Sequence, residues 1–307
     1  MKFSIIIVNY NLTQNIELLL ESIYKYLTDI EFEIIIVDNC SPERDIEQLA
    51  NKYSHIKFIF LKDNFGFGYA NNRGMDLAEY DYYLLLNPDT LLKDDSLKKM
   101  MIEMQNNHSW GIVGPMICYT DGKIQESALH YPNIRYEIYD FFNLLSRIIR
   151  WSKRFRRKIY NDQEYETDFL FGSCLFIRKD INDRLGGFDE EYFLFSEEAD
   201  YCFRAKNTIN TKIIYFPKSK IFHEAGAITK KTPSKRIYLN YNSRLLFINK
   251  NYKYFYSMIF RYVVIVLFLK KIITLKISNK KNIIDYSNYY KKIIKIYFHN
   301  SPELNER

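Results

Sequence analysis

Residues 5–11 read IIIVNYN, residues 33–39 read EIIIVDN and residues 82–89 read YYLLLNPD. Each is a short apolar run that ends in a polar cluster: Asn9-Tyr10-Asn11, Asp38-Asn39 and Asn87-Pro88-Asp89. Runs this short and this continuously apolar predict strands buried on both faces, as in a parallel sheet. A helix is expected after the first, with Thr13 as its cap and Ile16, Leu19, Leu20, Ile23, Tyr24 and Leu27 at helical spacing. Arg44–Tyr53 reads as a second helix, Ile56–Leu61 as a strand, and a third helix runs from near Tyr69 to Glu79. Strands alternating with helices predict a doubly wound, mostly parallel α/β sheet with right-handed crossovers. Ligands of such sheets bind beyond the carboxyl ends of the strands, so the three polar clusters should converge on one crevice.

The remainder is less regular. Ile112–Cys118 and Leu170–Ile177 read as strands, the latter with Gly172 inside it. Glu197–Lys206 reads as a helix, and Lys212–Phe216 as a strand stopped by Pro217. No repeat and no low-complexity linker interrupts the first ~250 residues, which therefore read as one unit of a size that ordinary domains reach.

With 47% hydrophobic and 26% charged residues, the 307-residue chain has the balance of a globular enzyme and not of a disordered one. The net charge of +7 is concentrated. Arg147–Lys158 holds seven basic residues and no acid, and basic residues again dominate from Lys250 onward. Such clusters, interleaved with aromatics, fit an anionic membrane surface or nucleic acid; the membrane is the reading taken here, with no nucleic acid partner. Cys40, Cys118, Cys174 and Cys202 have no metal-ligand or CxxC spacing and read as buried free thiols of a reducing compartment. The apolar run at the N-terminus is too short for a signal peptide, which points to a cytoplasmic location.

Gly66-Phe67-Gly68 suggests a dinucleotide fingerprint, but Asn71 stands at its third glycine position and it follows the third strand, not the first. No GxxxxGK[ST] loop occurs. A different set of motifs is present in order: Ile5–Asn11, Val37-Asp38-Asn39-Cys40-Ser41, Asn64–Gly74 (NFGFGYANNRG), Leu86–Asp89 (LNPD), Gly172–Arg178 (GSCLFIR), Gly186–Asp200 (GGFDEEYFLFSEEAD) and His223-Glu224-Ala225-Gly226. Together they resemble the family 2 glycosyltransferases, and within them the bacterial rhamnosyltransferase-like branch that builds surface polysaccharides. The resemblance covers about residues 3–250. It implies a GT-A fold with a nucleotide-binding half at about 1–115 and an acceptor half at about 116–250, while the composition of 251–307 reads as a basic, aromatic helical extension.

The resemblance also implies an inverting transfer of a sugar, with rhamnose the candidate, from a UDP- or dTDP-linked donor to a glycan or lipid-linked acceptor. It assigns Asp38 to the imide N–H of a pyrimidine base, where a cap or turn Asp is the plain alternative. Asn9, Tyr10 and Asn11 would line the same pocket, with Asn87 beside it. Asn64, Gly68, Asn71 and Asn72 would offer a polar, glycine-rich turn to the ribose and diphosphate, or simply serve a strand-to-helix turn. Asp89 is the retained acid of an Asp-x-Asp metal motif and implies Mn2+ or Mg2+. His223 would complete that shell or be structural. Glu198 falls on the position of the general base, which takes the acceptor hydroxyl's proton; a solvated acidic helix start is the alternative. Asp168, Glu197 and Asp200 would lie on the acceptor side.

Ile138–Ile159 combines aromatics with the basic cluster as an interfacial amphipathic helix would. Tyr254–Leu269 is apolar but shorter than the ~20 residues of a spanning helix. It reads as an interfacial or homo-oligomer-forming helix, and both segments would otherwise be core helices. A peripheral place on the inner face of the cell membrane follows from the first reading. A sugar nucleotidyltransferase would need a glycine-rich basic loop after the first strand, which Val8–Asn11 lacks, and a silent sugar- or membrane-binding scaffold would not need the acids Asp38, Asp89 and Glu198.

Overall fold

Ile5, Ile6 and Ile7 are all fully buried, so the first strand, β1 (Lys2–Asn9), is covered on both faces. The computed structural model describes residues 2–43, 45–143, 163–224, 233–277 and 283–303. From β1 the chain runs through α1 (Thr13–Tyr26), β2 (Glu31–Asp38), α2 (Asp45–Lys52), β3 (Lys57–Phe60), α3 (Phe67–Leu77) and β4 (Tyr82–Leu86). Strands β3, β2, β1 and β4 lie side by side and parallel, with Asn9 level with Asp38 at the carboxyl ends of β1 and β2. Thr13 starts α1, but its hydroxyl donates to Asp45 Oδ1 (2.8 Å) and ties α1 to α2 instead of capping.

Next come β5 (Thr90–Leu91), α4 (Ser96–Asn106), β6 (Trp110–Cys118), β7 (Ile124–Gln125), β8 (Ala128–Leu129), α5 (Ile134–Asn143), β9 (Tyr165–Glu166), β10 (Phe169–Leu170), β11 (Cys174–Arg178) and α6 (Lys179–Leu185). α7 (Glu197–Arg204) continues into a π turn at Ala205–Ile209, followed by β12 (Lys212–His223). The sheet continues as β4-β11-β6-β12-β5; β11 is antiparallel to both neighbours, while β12 is parallel to β6. The fold is thus a mixed α/β sheet whose parallel half comes first.

Two expected strands differ in form. Leu170–Ile177 is broken into β10 and β11 by a turn at Phe171-Gly172-Ser173. A Cβ on Gly172 would lie 2.4 Å from Glu198 Oε1, so this backbone passes too close to α7 for any side chain. Pro217 does not stop its strand: β12 runs on to His223, with the register jumping between Phe216–Pro115 and Lys220–Met116. Proline is tolerated because it sits in that bulge, where no ladder N–H is needed. Cys118, Cys174 and Cys202 are buried as expected, but Cys40 is exposed in a left-handed turn (φ +60°).

Three helices close the chain: α8 (Pro233–Asn251), α9 (Tyr254–Ile277) and α10 (Ile283–His299). Tyr238, Phe247, Phe260, Val264, Phe268, Ile293 and Tyr297 form a core with Tyr192 and Ala199 from around α7. Glu137 of α5, 1% exposed, accepts from Arg244 (2.6 Å) and Tyr241 (3.0 Å) of α8. Among the described residues no helix is long and apolar enough to cross a membrane. The basic cluster at 147–158, and the expected helix over 138–159 beyond residue 143, lie outside the described residues.

Candidate active site

The parallel register of β1 and β2 brings Asn9 and Asp38 together at the head of the crevice. Asn9 Nδ2 donates to Asp38 Oδ1 (2.7 Å) and to Ser41 Oγ (3.1 Å). Ser41 donates through its hydroxyl to Asp38 Oδ1 (2.6 Å) and through its backbone N–H to Oδ2 (3.0 Å). Ser41 Oγ in turn accepts the N–H of Asn11 (2.9 Å), which sits at φ +55°. A carboxylate offers about four acceptor positions; three of those on Asp38 are used, and the free one is on Oδ2. Tyr10, at the same turn, is half-buried.

One step along the crevice, Asn39 holds the loop into α3. Its side chain donates to Asn64 Oδ1 (2.9 Å) and to the Gly66 carbonyl (3.2 Å), and accepts the Phe65 N–H (3.0 Å). The expected anion cradle is largely committed to protein partners. The Gly66 N–H donates to Asn64 Oδ1 (3.1 Å) and the Phe67 N–H to the Phe193 carbonyl (3.0 Å). Gly66 has φ +96° and lies against that same carbonyl, so only glycine fits. Gly68 packs on Phe188 and Glu197. Asn71 bonds back to Phe67 O (2.9 Å), and Asn72 clamps Phe188 through both its N–H (2.8 Å) and its carbonyl (2.9 Å). These residues fasten α3 to the 186–196 loop that leads into α7.

At the other end, the turn after β4 carries Asn87-Pro88-Asp89, and β5 pairs with the end of β12 so that Thr90 is level with His223. Asp89 Oδ1 therefore lies 3.2 Å from His223 Nε2, both side chains being buried. Gln125 Oε1 sits 3.0 Å from His223 Nδ1. With an oxygen against Nδ1, that nitrogen carries the hydrogen, and the Nε2 lone pair faces a carboxylate oxygen. Two acceptors this close call for a proton or a cation between them. Neighbouring ligands of an octahedral cation with ~2.1 Å bonds are about 3 Å apart, so the pair fits a divalent ion. No group of three or more His, Cys, Asp or Glu able to hold a metal exists among the described residues, so the other ligands would come from elsewhere.

The Phe171-Gly172-Ser173 turn joins this corner to α7. The Ser173 carbonyl accepts the Asn87 N–H (3.0 Å), the Phe171 ring lies 6.2 Å from that of His223, and the Gly172 N–H donates to Glu198 Oε1 (3.1 Å). Burial raises the Glu198 carboxyl to about 6. Glu197 beside it is fully buried, and burial together with the Glu198 charge pushes its carboxyl well above the usual range. Three buried side-chain atoms around this turn have no protein partner: Asn87 Oδ1, Ser173 Oγ and Glu197 Oε2. Asp200, one turn on, faces elsewhere. It accepts from Arg204 Nε (2.7 Å) and Asn251 Nδ2 (3.0 Å), anchoring α7 to α8.

Asp168 stands apart, paired with His130 Nδ1 at 2.9 Å. The imidazole holds the Asp168 carboxyl below its ordinary range, and Asp168 raises His130 in return. Both line a groove of about 830 Å³ with Asn133, Arg135, Tyr136 and Tyr256, which Asp89 and Glu198 do not line. Sequence reasoning quoted Ser41 and Asn39 among the motifs without giving either a role, and passed over Gln125 and His130. An Asp-x-x-Ser turn signals the first, whereas the other three have no local signature.

The family described as "Glycosyl transferase family 2" matches residues 4–186. An N-acetylglucosaminyl-diphospho-decaprenol L-rhamnosyltransferase from Mycobacterium tuberculosis is 23% identical over 256 residues, 80% of this chain and 83% of that protein. Among solved structures, TarS from S. aureus superposes with a TM-score of 0.51 and 18% identity over 98% of this chain and 71% of that one. GalNAc-T7, solved with UDP, GalNAc and Mn2+, gives 0.54 and 14% over 78% of this chain and 48% of its own. At these identities the two structures show the shared fold.

Proposed function

We propose, from the premise that this chain belongs to glycosyl transferase family 2 and is a glycosyltransferase, that it inverts the anomeric centre of a nucleoside diphosphate sugar as it transfers that sugar to a lipid-linked or polysaccharide acceptor. The observation that carries this reading is the continuous chain of contacts Glu198–Gly172–Ser173–Asn87, which ends at the Asp89–His223 pair. A base and an anion-leaving site are held by one turn. The similarity to an L-rhamnosyltransferase named for a prenyl-diphosphate glycan supports rhamnose as the sugar, and the pyrimidine socket at Asp38 supports a dTDP or UDP carrier.

Asp38 receives the base. Its remaining acceptor position on Oδ2 suits the imide N–H of uracil or thymine, with Asn9, Tyr10 and Asn11 forming the wall of the pocket. Asn64, Gly68, Asn71 and Asn72 act at one remove, by fixing α3 and the 186–196 loop around the donor. Asp89 and His223 would hold Mn2+ or Mg2+, with Asn87 Oδ1 close by. Such an ion, when bound, neutralises the charge that develops on the departing diphosphate. Glu198 takes the proton of the acceptor hydroxyl while that oxygen bonds to the anomeric carbon and the carbon–oxygen bond to the diphosphate breaks. One carboxylate on one side and the leaving group on the other is the arrangement of direct displacement. Asp168 and His130 meet the acceptor further out. A peripheral position on the cytoplasmic face of the membrane brings a lipid-linked acceptor within reach.

Release of nucleoside diphosphate from a panel of UDP- and dTDP-linked sugars, with and without a prenyl-diphosphate acceptor, tests the donor and acceptor classes. NMR of the product tests the mechanism. A retained anomeric configuration would overturn direct displacement.

A further inference from the structure

Phe255, Ile259, Tyr262, Val266, Leu269 and Ile273 recur along α9 at alternating steps of four and three residues, which puts all six on one stripe. All six are exposed, from 37% for Ile259 to 68% for Phe255, while Phe260, Val264 and Phe268 on the opposite side are fully buried. The stripe spans 19 residues, from Phe255 to Ile273, about 27 Å of helix. An apolar surface of this length and regularity on a helix already packed on its other side needs an occupant.

Charge selects the occupant. From Asn251 to Ile284 the chain carries seven Lys or Arg and no Asp or Glu. Against a second copy the same spacing would serve a coiled coil, but pairing there uses acids opposite bases, and this helix has no acid to offer. An anionic lipid surface matches both features, taking the apolar stripe into the acyl boundary and the basic groups beside it among the phosphates. Arg261, which donates to the Tyr297 and Phe298 carbonyls, and Lys271, which lies over Phe268 and Tyr241, face the bundle instead. We infer that the α9 stripe is the membrane-docking surface of this protein and that it takes an anionic bilayer.

The same helix reaches the acceptor side. The Tyr256 hydroxyl accepts the Ile134 N–H (3.0 Å), and Tyr256 lines the groove that holds His130 and Asp168. Docking α9 therefore sets that groove at the level of the headgroups, where the sugar of a lipid-linked acceptor lies. This consequence for the acceptor rests on the function proposed above; the docking itself does not.

The test is co-sedimentation of the full chain with vesicles of pure phosphatidylcholine and of phosphatidylcholine with one third phosphatidylglycerol. Tyr262→Gln/Val266→Gln/Leu269→Gln is compared with wild type, and thermal melting and donor hydrolysis in detergent-free buffer report folding and the active site. The expected result is salt-sensitive binding to the anionic vesicles alone, reduced about tenfold or more in the variant, with melting and donor hydrolysis unchanged. Equal sedimentation of both proteins would overturn the inference and move docking to another surface. So would loss of a dimer by light scattering with vesicle binding intact, which would make a second copy the occupant. Protection of the α9 stripe from hydroxyl-radical labelling in the vesicle-free monomer would overturn it too, since the chain would then cover the stripe itself. Failure of the glycosyltransferase reading would appear in donor hydrolysis and leave the vesicle result standing.

Discussion

The two ends of the crevice are built on opposite terms. At the Asp38 end, Asn9, Asn11 and Ser41 meet one another's hydrogen-bonding needs almost completely, and the free protein has little left to gain there. At the Glu198 end, Asn87 Oδ1, Ser173 Oγ and Glu197 Oε2 are buried without partners, two carboxyls sit side by side, and His223 faces Asp89. Burying polar atoms without partners costs stability. The first end therefore reads as a preformed socket, and the second as a strained site that a ligand relieves. Substitutions at the socket should lower stability and binding together. At the strained end they should abolish turnover while sparing or raising stability.

The largest effect is expected at Glu198. Glu198→Gln should lower kcat about 10²–10⁴-fold with donor affinity unchanged, because the amide cannot take a proton. The pH profile sharpens this. Turnover needs the carboxylate, so it should fall as pH drops through about 6. Stability runs the other way: the folded carboxyl titrates above its unfolded range, the folded state holds the extra proton, and stability is lost as pH rises from the unfolded value toward about 6. Glu198→Gln should thus melt higher than wild type above that pH. Wild-type turnover in Glu198→Gln, with Asp200→Asn folded but dead, would shift the base to Asp200. Since Asp200 is bonded to Arg204 and Asn251, its amide variant should lose stability before it loses chemistry.

Asp89→Asn ranks next, at about 10²–10³-fold in turnover, the scale of removing one preorganised group that stabilises leaving-group charge. Chelation of divalent ions should have at least that effect on wild type and little further effect on the variant. Full turnover in excess chelator would remove the metal from the scheme. At the socket, Asp38→Ala should weaken nucleoside diphosphate binding by about 1–3 kcal/mol and also lower the melting temperature, since Asn9 and Ser41 lose their acceptor. Calorimetry giving equal affinities for adenosine and thymidine diphosphates would reject the pyrimidine assignment. The smallest effect belongs to Glu197→Gln. Its carboxyl is held toward the neutral form by burial and by the Glu198 charge, so a neutral amide of the same shape should cost little stability and leave the acid limb of the pH profile in place. An acid limb that moves would mean that Glu197 carries charge in the folded protein.

The contrast between the ends also explains what was legible in the sequence. The socket is made of residues at the ends of β1 and β2, where a short, continuously apolar run announces both the strand and its polar stop, so Asn9, Asn11 and Asp38 could be placed from the pattern. The strained end depends on contacts between remote segments. Nothing local in Gln125 tells that β7 delivers it to His223, nor does Gly172 announce that its backbone N–H must come within 3.1 Å of Glu198 Oε1. Asn72 shows the same limit. Its place in a glycine-rich loop suggested a ligand contact, whereas its amide spans 116 residues of sequence to hold the Phe188 backbone. Pro217 was read as a stop because a ladder needs N–H groups, and only the sheet register reveals a bulge that excuses it.

That bulge has a consequence for what length changes this chain can tolerate. Between Phe216 and Lys220 the strand takes four steps while its partner β6 takes one, from Pro115 to Met116. Phe216 and Ile221 are five residues apart yet pack in the same core, so pairing with β6, and not strict alternation along β12, sets the face that each later position presents. Pro217, Lys218 and Ser219 are extra to that ladder: removing all three would place Lys220 directly after Phe216, opposite Met116 and Pro115, with Ile221 and His223 still on their present faces. The triple deletion should therefore fold and keep turnover, which melting and activity of that variant would display.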